Sequence, residues 1–108
     1  LVLPPQAPAG DTHAWHLYAL RLADAALAGG LTRDRFIERL FAQGIGASVH
    51  YIPLHLHPYW RDRYRLVPAL FPASQHAYER LVSLPIYTRM GDADVERVIA
   101  AVRGALAG

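Results

Sequence analysis

Three histidines, three other aromatic residues and two prolines fall within one short stretch, Val49-His50-Tyr51-Ile52-Pro53-Leu54-His55-Leu56-His57-Pro58-Tyr59-Trp60. Imidazole and phenol groups are hydrogen-bonding side chains, and imidazole is also the commonest metal ligand, so the chemistry of the chain concentrates here. Pro53 and Pro58 each remove a backbone donor and fix φ, which excludes a long helix or a central strand through the segment. The residues ending at Val49 predict a short strand over 47–51, entered through Gly44-Ile45-Gly46 and emptying into a stiff loop. Rings at a strand end, held by proline, are how a binding rim is built. As consecutive strand residues, His50 and Tyr51 are expected to point to opposite faces.

Other chemistry is weaker. His50, His55 and His57, with His13 and His16 elsewhere, suggest a zinc site. Their spacing matches no helical His-x-x-x-His pair, and residues 47–61 hold no carboxylate and no cysteine, so no metal site is assigned. Backbone hydrogen bonds from His55 or His57 within the loop are the plainer role. His16 lies mid-strand in the pattern and reads as a hydrogen-bonded core histidine. The Arg61-Asp62-Arg63-Tyr64-Arg65 cluster beside Trp60 has the look of an anion or nucleic-acid patch, but Asp62 sits inside it and the whole chain carries only +2. A solvated helix face is the expectation, with no nucleic-acid partner. Ser48, Ser74 and Ser83 lack the Gly-x-Ser-x-Gly elbow, and Gly44-Ile45-Gly46 lacks the third glycine of a phosphate loop. No residue here is assigned a catalytic role: the chain reads as a contributor to a site rather than a complete enzyme.

Composition sets the frame for these residues. At 108 residues and 53% hydrophobic content the chain is one globular domain, 1–108. It has no secretory signal pattern and no apolar run long enough for a membrane span. With no cysteine, disulfides and thiolate chemistry are excluded, which fits a cytoplasmic protein. All eleven basic residues are arginine, so no side-chain amine is present to form a Schiff base. The chain opens on Leu1 in a proline-rich stretch, as a piece of something longer would; residues 1–12 are expected to be an extended lead-in.

The elements that must position the histidine segment follow from periodicity. Residues 14–22 alternate with both faces largely apolar, predicting a central strand. A small-residue connection, 23–30, leads to a helix over 33–43 with Thr32 as N-cap, Gly44 beyond its end and a stripe of Phe36, Ile37, Leu40 and Phe41. A helical turn over 59–65, a loop through Pro72, a helix over 73–82 and an edge strand over 83–87 come next. The final helix is marked by Val95, Val98, Ile99, Val102 and Leu106, with Asp92, Asp94 and Glu96 in its first turn. The expected fold is α+β: a small antiparallel sheet of about three strands with helices packed against it.

Five blocks occur in an order that resembles a known family: His13-Ala14-Trp15-His16-Leu17-Tyr18, Arg33-Asp34-Arg35-Phe36-Ile37, Gly44 to Tyr59, Leu84-Pro85, and Asp92 to Ile99. Together they are similar to the C-terminal region of DegT/StrS-type nucleotide-sugar aminotransferases, which use pyridoxal phosphate on the fold-type I scaffold. The resemblance implies amino transfer from glutamate to a nucleotide-linked keto-sugar by a homodimer. It implies that the cofactor's lysine lies in a large N-terminal domain outside this chain, so that the chain alone is inactive and binds no cofactor. It places His50 and Tyr51 on the sugar-nucleotide side of the cleft, with His55 nearby. Two readings outside the family remain beside it: a free-standing small-molecule binding or regulatory module, and a histidine-based metal protein.

Overall fold

Two short strands form the frame, and both are extended by single residues from elsewhere. In the computed structural model, which describes residues 1–107, β1 (Tyr18–Arg21) pairs antiparallel with β2 (Leu81–Leu84), Tyr18 opposite Leu84 and Arg21 opposite Leu81. Val2 bridges to Arg21 on the outer side of β1, and Ser48 bridges to Ser83 on the outer side of β2. The fold is α+β as expected, but the sheet has two regular strands rather than about three. The strand predicted over 47–51 contracts to the Ser48 bridge, where Ser48 and Ser83 exchange backbone hydrogen bonds of 3.0 and 2.8 Å. β2 is a terminal strand of this two-stranded sheet, as expected, with the Ser48 bridge on its outer side, and it starts earlier, at Leu81. It stops before Pro85, which has no donor to continue the ladder.

The first strand also starts later than its alternation suggests. Trp15 has φ 48°, in the left-handed region that an extended strand does not enter, and its N–H donates to His13 Nδ1 at 2.9 Å. Pairing therefore begins at Tyr18, and His16 is exposed ahead of the strand rather than buried in the core. The lead-in is in no regular element apart from the Val2 bridge.

Opposed residues on a sheet share a face, so Leu20 and Val82 point the same way. They are buried with Leu22, Leu31, Ile45, two residues of α2 (Arg33–Ala42) and four of α5 (Asp92–Ala107). The α2 contribution is Phe36 and Leu40; Phe41, the last of the predicted stripe, is exposed. On α5 the buried side is Val98, Ala101, Val102 and Ala105, while Val95 and Ile99 lie on the rim. Arg39 Nη1 donates to Ala105 O at 2.8 Å and Gln43 Nε2 to Ala101 O at 3.3 Å, joining the two helices by polar contacts beside the apolar one.

Helix ends follow local chemistry. Thr32 Oγ1 accepts from Arg35 N–H at 3.2 Å, and Gly44, with φ 72°, receives the chain beyond the other end of α2. Thr32→Ala is expected to destabilise the protein by about 1 kcal/mol, measured by denaturant titration. The connection over 23–30 contains a helix the periodicity does not reveal, α1 (Asp24–Ala28). Its five residues are too few to show a stripe, and its signals are alanine content and Gly29-Gly30 at the end. The helix predicted over 73–82 is shorter in fact, α4 (Pro72–Tyr78), because its last predicted residues are drawn into β2.

Between the Ser48 bridge and α4 the chain makes an arm: a 3-10 turn (Leu54–Leu56), α3 (Pro58–Tyr64) and a second 3-10 turn (Pro68–Leu70). No residue of α3 is buried, and Tyr51, Ile52, Leu54, Tyr59, Tyr64 and Leu70 are exposed along the arm. The surface area is 7620 Å² and the radius of gyration 15.9 Å. A self-contained monomer of this size has about 6,000 Å² and about 13 Å. The excess accompanies the exposed arm and the extended lead-in. Among the described residues no helix is long and apolar enough to cross a membrane.

Candidate functional site

After the Ser48 bridge the chain leaves the sheet, and the backbone no longer alternates. A cleft of about 510 Å³ opens between this departing segment and α4, lined among others by His50, Tyr51, His57, Ser74, Tyr78 and Leu81. His50 and Tyr51 thus border one cleft rather than opposite faces, their ring centroids 5.1 Å apart and tilted by 56°. Tyr51 is 80% exposed and His50 partly buried, so both rings are within reach of a ligand.

The three clustered histidines separate in space. His55 is only 3% exposed and is not among the lining residues. Its Nε2 lies 2.8 Å from Gln75 Oε1, and its ring stacks on Phe71 at 5.0 Å, clasping the first 3-10 turn to α4. Gln75 Nε2 in turn donates to Glu79 Oε1 at 2.8 Å. His57 Nε2 donates to the carbonyl oxygen of Ile52 at 3.0 Å, the backbone role anticipated for one of these two residues. Among the described residues no three of His, Cys, Asp or Glu come together to hold a metal ion. Neither His55 nor His57 is hydrogen-bonded to a serine, so neither is set up as a base for a hydroxyl nucleophile.

The arginine cluster on α3 is the solvated face expected of it. Arg61 Nε donates to Asp62 Oδ1 at 2.7 Å. That hydrogen bond holds the Asp62 carboxyl below the usual carboxylate range and raises the Arg61 guanidinium further. Both groups lie in water, where such a pair contributes little to stability.

The opposite wall of the cleft was not legible from the sequence. Ser74, Tyr78 and Leu81 reach it only because α4 ends at Tyr78 and β2 begins three residues later. The result is a recess with two phenols, a hydroxyl and imidazoles set in apolar surroundings that include Ile52 and Leu54. Such a surface suits a ligand carrying several hydroxyl or phosphate oxygens on an apolar ring. A second groove, about 270 Å³ between β2 and α5, is lined by Tyr18, Met90, Val95 and Ile99 among others and contains no histidine, acid or arginine.

Residues 1–103 match the family described as the DegT/DnrJ/EryC1/StrS aminotransferase family. An uncharacterized protein, MJ1066, of Methanocaldococcus jannaschii is 48% identical over 91 residues, 84% of this chain and 23% of that protein. The spore coat polysaccharide biosynthesis protein SpsC of Bacillus subtilis is 43% identical over 97 residues, 89% of this chain and 24% of that protein. The structure of the aminotransferase TlmJ from Streptoalloteichus hindustanus superposes with a TM-score of 0.76 at 31% identity, covering 97% of this chain and 26% of that one. The chain therefore spans about a quarter of the length of the proteins it matches.

Proposed function

This chain belongs to the DegT/DnrJ/EryC1/StrS aminotransferase family, and from that membership we propose that it is the small, C-terminal domain of a pyridoxal-phosphate enzyme that moves an amino group from glutamate to a nucleotide-linked keto-sugar. The observation that carries the reading is the single cleft shared by His50 and Tyr51, on the segment where the sequence resemblance is most specific. The family match spans that segment.

Pyridoxal phosphate, when bound, supplies the carrier for the amino group. This chain does not fit its point of attachment, because none of its residues is a lysine. The lysine and most cofactor contacts are assigned to the remainder of the protein, and the isolated chain is expected to turn over no substrate. The residues here bind and orient. His50 and Tyr51 offer hydrogen bonds to hydroxyl or phosphate oxygens of the sugar nucleotide while their rings exclude water from one side of it. His55 acts behind them, holding the 3-10 turn against α4. The same reading makes the enzyme a cytoplasmic homodimer, with the exposed arm covered by the rest of the assembly.

In the full-length enzyme, His50→Ala is expected to raise KM for the sugar nucleotide about tenfold while kcat changes little, because the lost contact is made before and during reaction alike. An unchanged KM overturns the assignment of this cleft.

A further inference from the structure

Arg33 and Tyr78 are 45 residues apart in sequence and are clamped together beside the cleft. Arg33 is the first residue of α2, and its side chain is 16% exposed. Its Nη1 donates to the carbonyl oxygen of Tyr78 at 2.6 Å, and its Cζ lies 4.8 Å from the centroid of the Tyr78 ring. The carbonyl is at the C-terminal end of α4, where helix carbonyls lack intrahelical partners and a cation is favoured. Asp34 holds the guanidinium from the other side, Nη2 to Oδ1 at 3.0 Å. One group therefore fixes both the backbone and the ring of Tyr78. Tyr78 lines the cleft of His50 and Tyr51 and also a neighbouring recess lined by Thr32 and Arg33, so it lies between the two.

We infer that Tyr78 is a third substrate-contacting ring of the cleft, facing the sugar of a nucleotide-linked substrate, and that Arg33 is the positioning residue that holds it there. The inference rests on the sugar-nucleotide reading of the cleft. A tyrosine left to choose among rotamers must be immobilised when ligand binds; one already stacked under a planar guanidinium pays less of that entropy. Arg33 contributes to affinity through Tyr78 and not by its own contact.

The test is a double-mutant cycle in the full-length enzyme. Arg33→Ala and Tyr78→Ala are each expected to raise KM for the keto-sugar nucleotide about tenfold and to leave KM for glutamate unchanged. The double variant should be no worse than Tyr78→Ala alone, since Arg33 has nothing left to position. Arg33→Lys should not rescue, because an ammonium does not stack as the planar group does. Equilibrium titration with UDP-N-acetylglucosamine and dTDP-glucose, neither of which has a keto group to aminate, should show the same weakening for whichever wild type binds. Additive effects, or equal rises in both KM values, overturn the inference and leave the function standing. A wild-type enzyme that aminates no nucleotide-linked keto-sugar and binds neither probe overturns the function and this inference with it.

Discussion

Phe36→Ala is expected to lower stability by about 3–5 kcal/mol, the largest of the effects predicted for this chain. Phe36 is fully buried at the point where α2 meets the sheet and α5, with Leu20, Leu40, Val82 and Val102 in the same cluster. Truncation removes the ring's transfer free energy and leaves a cavity that helices held by Arg39 and Gln43 cannot readily collapse. For a domain of this size the melting midpoint should fall by on the order of 15 °C or more. Phe36→Leu should recover most of it. A midpoint within a few degrees of wild type would show that the core is not organised around this residue.

His55→Ala is expected to come second, at about 2–3 kcal/mol. The substitution deletes a buried imidazole, its stack on Phe71 and its hydrogen bond to Gln75, and leaves the part-buried Gln75 carbonyl without that partner. The prediction separates two roles for His55. As a brace, it should show a clear loss in denaturant titration with a rise in sugar-nucleotide KM smaller than that of His50→Ala. A strong rise in KM with stability intact would instead place its imidazole on the substrate, as the resemblance alone suggests.

The size of these two effects reflects how little of the chain forms the core. Among the described residues eleven hydrophobic side chains are buried, and the arm adds none of them. Apolar rings exposed along 51–71 therefore do not stabilise this unit by itself, which agrees with its excess surface. A surface of that kind marks an interaction site on a natural protein.

Much of the framework was readable in advance because its causes are local. Thr32 caps α2 and Gly44 follows it; acids open α5 and an apolar period runs along it; prolines bound the histidine segment. Each of these signals acts within one or two helical turns, so the residues involved are visible to one another in sequence. The family resemblance was legible for the same reason, since its blocks are short and keep their order. Side-chain direction was another matter. Alternation placed His16 in the core and set His50 and Tyr51 on opposite faces, but Trp15 breaks the first strand and pairing ends at Ser48. The fates of His55 and Tyr78 depended on partners 20 and 45 residues away, Gln75 and Arg33. No local pattern encodes such contacts. The sequence by itself determined α2 and α5, the N-cap of α2, the class of fold and the segment proposed to bear the chemistry. Only the tertiary structure decided which rings line the cleft and which are buried behind it, because that depends on where α4 ends and on what α2 brings against it.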